Sequence, residues 1–512
     1  MIRPNDTLPL STTPTEANSV AREPMNDGAE PRKVRRRGPP PPRFLADMND
    51  QLDYVGGCLE LAVESDHLAR RVWAFVNELD LVALRSQYSY LGRRGFDPAR
   101  LLAAFIYGSL ERVHAASALA RRARDDAALR WLLGGHVVNE RKLAEFRARN
   151  GAFLQQALQR TVTMAVERGL IDPRDLAVDS VRVRADAATA SIRTVTRSKE
   201  RIAELEAVDA ESLTEAARLE REQKLSKHHD ALKALDESGR TSMSVTDKQA
   251  ALMKFPSGAS LPGHRVQVGA CRTDLRFVVS AFVDGSPTDC GMLERVTESV
   301  LAGLTAAGIS ITAHVPQVTA DGGYVSEADL RYASTQRARV DLLVSALDAP
   351  TGYVRGSKTQ RKFGRESFEF GDDGSAKCPA GTTMKGPADS KDGIRTWRGV
   401  GCPACPLRAS CTSGKERTLT ENMRTRALRD DMKRRLAEPG AKERYARRIG
   451  TVEPVFSYLS DTMGFTRASS RRTETVDAEI LLKLLAYNFT RLQSKAGHKP
   501  VFPAYVSAFP PT

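Results

Sequence analysis

Three acidic residues occupy positions where a carboxylate could do chemistry. Asp179 lies in the middle of the alternating, β-branched run DLAVDSVRVR, Asp321 directly follows the run VTA, and Glu453 borders a helical apolar pattern. A carboxylate on a buried strand needs a positive partner. Carboxylate oxygens suit Mg²⁺ and Mn²⁺, and two such ions can hold the attacking and leaving oxygens of a phosphodiester in line. The three residues predict a metal site for phosphodiester cleavage, although each alone is more often a turn or cap residue.

The surroundings of Glu453 predict how this residue is held. An apolar residue recurs at spacings of three, four, three and four, at Ile449, Val452, Phe456, Leu459 and Met463. Such spacing predicts a buried helical stripe, with Glu453 at its border. Pro454 must then kink the helix or lie in its first turn.

A cluster of cysteines forms a second set of candidate ligands. Cys402 and Cys405 have the two-residue gap of a zinc knuckle, and Cys378 and Cys411 complete a set of four thiols. The separations of 24, 3 and 6 residues between successive members do not form two matching pairs. A structural Zn²⁺ and an insertion that is ordered without metal are therefore both open.

The charge balance of the chain favours a polyanionic partner. The 512 residues contain 77 Lys and Arg against 63 Asp and Glu, a formal net charge of +14. Nucleic acid fits this charge best. No run reaches the roughly 20 apolar residues needed to cross a bilayer, and the first residues lack the order of a secretory signal. We expect a cytoplasmic protein with no membrane partner.

The first part of the chain predicts a basic arm followed by helices. Residues 1–44 are rich in Pro, Ser, Thr and Arg, which predicts a disordered arm that either has no role or attracts phosphates. Residues 58–165 predict a helical domain, with one helix beginning at Asp97-Pro98 because Asp caps and Pro suits the first turn.

One short helix of this domain, from about Asn139 to Asn150, is basic. It carries Arg141, Lys142, Arg147 and Arg149. In a helix-turn-helix-like domain such a helix would enter a groove of double-stranded DNA. The alternative is a helical dimerisation or scaffold module whose arginines only face solvent.

The rest of the chain predicts an α/β fold. Strands are expected at 175–184, 265–271, 276–283, 318–321 and 340–346, with helices at 288–307, 326–336 and 478–492. Three strands followed by alternating helices and strands suit a mixed sheet with flanking helices. The core is expected in three parts, at 170–195, 245–349 and 438–495. A helical insertion at 197–240 and a cysteine-bearing insertion at 350–425 interrupt it.

The chain resembles, at three places and in the same order, the acidic motifs of bacterial insertion-sequence transposases of the DDE class. The matching segments are LAVDSVRVRADA, VTADGGYVSEADL and YARRIGTVEPVFSYLSDTMGF. Within that class it resembles the branch numbered eleven-eighty-two, also in its helical first domain, in CPAG and CPACPLRASC, and in LLAYNFTRL. The resemblance implies an RNase H-like core in which Asp179, Asp321 and Glu453 are catalytic and bind Mg²⁺ or Mn²⁺.

The same resemblance implies a function. Such transposases bind the terminal inverted repeats of their element, nick the DNA at its ends and transfer the strands into target DNA. Because two ends must be brought together, a homodimer is expected.

One departure from the family pattern bears on activity. Related transposases carry a Tyr and an Arg before the glutamate and a Lys seven residues after it, which contact DNA phosphates. Tyr445 and Arg448 match, but the position of the Lys is occupied by Ser460. Arg467 or the pair Arg471-Arg472 could replace the missing cation.

Two alternative functions are compatible with these residues. A DNA-binding protein derived from a transposase, without cleavage activity, is favoured by Ser460 and opposed by the intact triad. An RNase H-like nuclease without strand transfer would use the same triad, and the helical first domain and the insertions argue against it.

Overall fold

The computed structural model describes residues 41–52, 57–89, 91–172, 174–209, 213–312, 315–345, 363–371, 373–390 and 393–494. The predicted basic arm at 1–44 therefore lies outside the described residues, except for its last four positions. Among the described residues, no helix is long and apolar enough to cross a membrane.

Helices fill the first third of the described chain. They are α1 (Leu59–Ala62), α2 (Leu68–Asn77), α3 (Val82–Arg85), α4 (Pro98–Leu110), α5 (Ala116–Asp125), α6 (Ala127–Leu132), α7 (Glu140–Arg149) and α8 (Gly151–Glu167). Helix α4 begins where the sequence predicts, because the Asp97 side chain accepts a hydrogen bond from Ala99 N at 3.0 Å and Pro98 occupies the first turn. Asn139 caps α7 in the same way, accepting from Lys142 N at 2.9 Å.

A mixed sheet follows these helices. Its strands and a small neighbouring pair are β1 (Asp175–Arg184), β2 (Ile192–Thr194), β3 (Ser242–Ser244), β4 (Ala251–Lys254), β5 (Ser260–Cys271), β6 (Val278–Asp284), β7 (Gln317–Ala320) and β8 (Asp341–Val344). The order is β4-β5-β1-β7-β8, and β6 also pairs with β5. Strand β5 runs antiparallel to β1, β4 and β6, whereas β7 is parallel to both β1 and β8. The predicted mixed sheet is confirmed, and β1 lies at its centre.

Helices connect the strands of the sheet. They are α9 (Val195–Glu206), α10 (Glu215–Ser238), α11 (Leu293–Ala306) and α12 (Glu327–Thr335). The first two occupy the segment where a charged helical insertion is expected, and the antiparallel pair β2 and β3 closes its base. The other two separate β6, β7 and β8, as the sequence pattern predicts.

The cysteine-bearing segment contains short strands that its Gly- and Pro-rich sequence did not predict. They are β9 (Glu369–Phe370), β10 (Ala376–Lys377), β11 (Lys385–Asp389), β12 (Ile394–Arg398) and β13 (Thr418–Asn422), with helix α13 (Arg408–Cys411) before the last. Strands β11, β12 and β13 form an antiparallel sheet. This segment has a small core separate from the main one.

The last of the described residues form helices that cover the main sheet. They are α14 (Met423–Ala437), α15 (Ala441–Ala446), α16 (Ile449–Ser457) and α17 (Thr473–Ser494), with a π-helical turn at Tyr458–Thr462 after α16. Helical structure therefore resumes at Met423 and not near 438. The sequence pattern did not predict α14 because this helix is highly charged and shows little apolar periodicity. Side chains from the first helices, the main sheet and α17 share one hydrophobic core.

Candidate active site

Asp179 lies in the middle of β1 with its side chain largely buried beside one cation. Its Oδ2 accepts a hydrogen bond from Arg448 Nη1 at 2.6 Å, and its Oδ1 accepts one from Ser180 N at 2.8 Å. Burial raises the pKa of Asp179 above its usual value, the two donors oppose this rise, and the nearby charge of Asp321 adds to it. The expected positive partner of a buried carboxylate is therefore Arg448.

Asp321 follows β7 directly, at the place where the chain leaves the sheet. In the parallel pairing of β1 and β7, Ala177 lies opposite Thr319. When the same register is extended by two residues, Asp179 lies opposite Asp321. Both side chains then point to the same face of the sheet, because strand side chains alternate with a period of two. Asp321 Oδ1 accepts a hydrogen bond from Gly323 N at 2.5 Å, which fixes its carboxylate over the following turn.

A polar network on the other face of the sheet supports both aspartates. Arg265 Nη1 donates to Asp289 Oδ2 at 2.6 Å and to Ser180 Oγ at 2.8 Å, so it holds the residue that follows Asp179. Gln267 Nε2 donates to Asp289 Oδ1 at 2.9 Å, and the Tyr324 hydroxyl donates to Gln267 Oε1. Since Tyr324 belongs to the turn after Asp321, one network connects the backbone around both aspartates.

Sequence reasoning missed this network. Asp289 precedes a helix, so its sequence context resembles that of an ordinary cap. Arg265 and Gln267 alternate along β5 as solvent-facing residues of a strand would, yet both are buried. Their polar character on a central strand is the signal that could have revealed them, because a buried polar side chain needs a partner.

Glu453 lies on α16 away from the buried face of that helix. Val452 and Leu459 are buried as predicted, but Ile449 is 51% exposed. The predicted stripe is wrong at this end because the buried face of the helix runs through Arg448, Val452 and Val455, and Ile449 points to the side of that face. The Glu453 side chain is exposed, and it forms no hydrogen bond or ion pair with any of the described residues.

Pro454 lies inside α16 rather than in its first turn. A proline cannot donate to the carbonyl four residues earlier, here that of Gly450. Arg276 Nε donates to Gly450 O at 2.7 Å and takes the place of the missing donor. The helix can thus continue through the proline, and Glu453 lies within it.

The structure brings two of the three predicted ligands together. Asp179 and Asp321 are neighbours across β1 and β7, whereas Glu453 remains apart from them. In the described ranges, no group of three or more His, Cys, Asp or Glu side chains is positioned to hold a metal ion.

The candidate DNA contacts on α7 divide into exposed and buried residues. Arg141, Lys142 and Arg149 are exposed, and the first two pair with Glu145 on the same helix. Arg147 is buried and lies 3.5 Å from Glu479 Oε2 on α17. Because its guanidinium faces the protein interior, Arg147 is a structural contact in this fold and not a DNA contact.

The other candidate phosphate contacts lie near α16. Tyr445 is partly buried, and Arg448 is occupied by Asp179. Ser460 donates to Asp461 Oδ1 at 2.8 Å. Of the cations considered as substitutes for the missing Lys, Arg467 and Arg471 both pair with Asp186, at 3.2 and 3.0 Å.

The four clustered cysteines line one cavity. Cys378 comes from the turn after β10, and the other three come from the segment between β12 and β13. Pro379, Leu407 and Arg417 also line the cavity. Burial raises the pKa of the Cys411 thiol, and the other three cysteines add to the shift. The sequence cluster is therefore also a cluster in space.

Two family models match the chain. One, described as "Transposase DDE domain", matches residues 377–493, and the other, described as "Transposase domain (DUF772)", matches residues 58–149. The first range includes Glu453 and the four clustered cysteines, the second includes α1 to α7, and Asp179 and Asp321 lie outside both. Searches among curated proteins and among solved structures found no match. These two matches confirm the resemblance to the insertion-sequence transposases of the DDE class, and the numbered branch stays a prediction.

Proposed function

We propose that this transposase binds the ends of its element and catalyses metal-dependent cleavage and strand transfer of DNA. Asp179, Asp321 and Glu453 are the proposed catalytic residues and metal ligands. The observation that carries the proposal is the level placement of Asp179 on β1 and Asp321 directly after the adjacent parallel strand β7. Two carboxylates side by side repel each other, and a bound cation relieves this repulsion.

The residues present fit a hard divalent cation. Asp179 and Asp321 offer carboxylate oxygens, which are the ligands that Mg²⁺ and Mn²⁺ prefer. When bound, such ions stabilise the charge on the attacking and leaving oxygens of a phosphodiester. The network of Arg265, Gln267 and Asp289 keeps the backbone around the two aspartates in place, so that the ligands need not reorganise.

Arg448 has a defined task in this proposal. Its guanidinium neutralises Asp179 in the structure described here. A cation bound at Asp179 would take over that neutralisation and leave Arg448 available for a DNA phosphate. Arg448 would thus pair with Asp179 before the metal binds and contact a DNA phosphate afterwards, which is the contact that the family resemblance implies.

Glu453 can join the site without losing an existing contact. It follows Arg448 by five residues on α16, which is about 7.5 Å along a helix axis. Its carboxylate is exposed and, in the described part of the chain, has no bonding partner that would have to be broken. We infer that Glu453 becomes the third metal ligand when both DNA and the metal are bound.

The fold and partners belong to the same proposal. Three antiparallel strands followed by two parallel strands separated by helices support an RNase H-like core. The exposed cations of α7 and the net charge of +14 support double-stranded DNA as partner. A homodimer would bring two element ends together.

A DNA-binding protein without cleavage activity is the second candidate. The observation that favours it is the separation of Glu453 from the two aspartates, together with Ser460 in place of the expected cation. This protein would bind element ends as tightly as the enzyme does but would leave them intact.

A DNA assay distinguishes these functions. The DNA that flanks the gene is inspected for inverted repeats, and a duplex carrying one end is incubated with the protein in Mg²⁺ or in a chelator. We expect nicks at the end of the repeat in Mg²⁺ and none in the chelator or on unrelated DNA. Binding without nicks would favour the second candidate, and nicks of equal rate on unrelated DNA would indicate a nuclease.

A further inference from the structure

We propose that Cys378, Cys402, Cys405 and Cys411 bind a structural Zn²⁺ that holds the cysteine-bearing segment together. The four thiols come from two turns and a short helix that are up to 33 residues apart (411 − 378), yet all line a single cavity of about 370 Å³. Three further cysteines of the chain, Cys58, Cys271 and Cys290, lie elsewhere. Four thiols of distant sequence origin that face one space are the ligand set of a structural zinc site.

Two turns of the same sequence present the thiols. Cys378-Pro-Ala is closed by a hydrogen bond from Gly381 N to Cys378 O at 2.8 Å, and Cys402-Pro-Ala by one from Cys405 N to Cys402 O at 3.2 Å. In the second turn both ends are cysteines, which is the two-residue gap of a zinc knuckle. The backbone thus already has the form in which one turn can supply two sulfurs to one ion.

Two close contacts hold the Cys402 sulfur at the wall of the cavity. Arg417 N donates to Cys402 Sγ at 3.4 Å. A Cβ atom at Gly399 would lie 2.6 Å from the same sulfur, so the glycine is what allows the end of β12 to approach it. Arg408 and Arg417 also line the cavity, and their positive charge would offset the net negative charge of four thiolates around Zn²⁺.

The hydrophobic core of the cysteine-bearing segment is small. In its described part, the buried core consists of Phe368, Ala376, Met384, Trp397 and Leu419. Small modules of this kind usually need a metal or disulfides in addition to hydrophobic burial. Zinc binding would supply that stability directly.

Binding requires the thiols to move toward each other. Among the described residues, no three potential ligands have the geometry of a closed metal site, and zinc holds sulfur at about 2.3 Å. Rotation of the four side chains about their Cα–Cβ bonds, with a small approach of the two turns, would close the cavity around the ion and release the thiol protons.

Elemental analysis of the full-length chain, purified without chelators, tests the site. We expect about one zinc per chain in the wild type, in line with one tetrahedral four-thiolate site. Cys402→Ser and Cys405→Ser should lose most of this zinc, and Cys290→Ser, at an exposed cysteine outside the cluster, should retain it. A folded wild-type chain that contains no zinc would overturn the proposal, as would equal zinc content in Cys290→Ser and Cys405→Ser.

A second measurement does not depend on the folding of the variants. Wild-type protein refolded with Co²⁺ should show the visible absorption bands of tetrahedral cobalt thiolate, and added Zn²⁺ should abolish them. Absence of these bands in a refolded protein, or a disulfide between two of the four cysteines in mass spectra of freshly purified protein, would contradict the zinc site. Neither readout requires DNA cleavage, so this proposal can fail independently of the proposed function.

Discussion

Asp179 and Arg448 form the contact that most directly connects packing with chemistry. The carboxylate is largely buried on β1, and the guanidinium at 2.6 Å is its main positive partner. Burial already raises the pKa of Asp179, and Arg448 opposes that rise. A metal ligand must be ionised, so in the proposed site the ease with which Asp179 loses its proton sets the lower pH limit of the metal-dependent reaction.

Arg448→Ala should therefore change the pH dependence of cleavage. Removing the guanidinium raises the pKa of Asp179 further, so the acid limb of the rate profile should move to higher pH. Arg447→Ala, at the exposed neighbouring arginine, is the matched control and should keep the wild-type profile. Rates measured at a Mg²⁺ concentration below saturation over a series of pH values would argue against this role if both variants had the same acid limb.

Asp477 offers a test of burial at a residue outside the site. It lies in the first turns of α17 and accepts a hydrogen bond from Val283 N at 2.7 Å. Burial raises the pKa of Asp477 from 3.8 to about 6. Between these values the folded protein holds a proton that the unfolded chain has lost, so rising pH lowers the free energy of unfolding in this window.

Asp477→Asn should remove that pH dependence while keeping the acceptor. Relative to the variant, the wild type should lose up to about 3 kcal/mol of stability between pH 4 and pH 7, from a shift of about two pKa units. Urea unfolding of both proteins at several pH values measures the difference. A constant difference across this window would show that Asp477 is not desolvated as described.

At the scale of elements, α17 joins the first helices to the main sheet. Glu479 is buried on this helix and accepts hydrogen bonds from Ser469 N at 3.1 Å, Ser469 Oγ at 2.7 Å and Ser470 Oγ. Arg147 on α7 approaches the same carboxylate. One buried charge thus joins α7, α17 and the loop between α16 and α17.

Glu479→Ala should destabilise the protein strongly. It leaves Arg147 as a buried charge without its carboxylate, and breaking such a pair costs about 3–5 kcal/mol. Glu474→Ala, at an exposed residue one turn earlier on α17, should change stability by less than about 0.5 kcal/mol. Denaturant unfolding of the two variants compares them, and equal effects would disprove the joining role of Glu479.

Elements with a clear apolar period could be predicted from the sequence, and polar elements could not. Strand β1 has the predicted bounds, β5 and β6 form the expected hairpin, and α17 is the expected closing helix. The polar helix α14 and the short strands β9 to β13 were missed. Their stability depends on contacts with distant parts of the chain, which local periodicity does not report.

The candidate site was predictable to a similar extent. Asp179 and Asp321 could be placed because their strand positions are local features of the sequence. The partner role of Arg448, which is separated from Asp179 by 269 residues, and the buried network around Arg265 depend on tertiary packing. The burial of Arg147 could not be predicted either, since it requires α17 as a neighbour.

At the scale of the whole molecule, the positive charge should govern DNA affinity. The logarithm of the binding constant falls linearly with the logarithm of the salt concentration. Each lost phosphate contact makes this slope shallower by about 0.9. The exposed residues Arg141 and Arg149 on α7 are the proposed contacts. Arg331, which forms an i,i+4 pair with Glu327 just as Arg141 does with Glu145, lies on another helix and serves as the control.

Arg141→Ala combined with Arg149→Ala should lower affinity for DNA and reduce the salt slope by up to about 2. Arg331→Ala should leave both unchanged. Fluorescence anisotropy with a labelled duplex at several salt concentrations measures the slopes. A double variant with the wild-type slope would place the DNA on another surface.

The cleavage of an end-containing duplex by carboxylate variants tests the central claim most directly. Asp179→Asn, Asp321→Asn and Glu453→Gln should each bind the DNA like the wild type but cleave it at least about 10³-fold more slowly, which corresponds to about 4 kcal/mol of transition-state stabilisation. Asp172→Asn, at an exposed carboxylate shortly before β1, should cleave at the wild-type rate. Wild-type cleavage by any one of the three variants would contradict the assignment of that residue to the catalytic site.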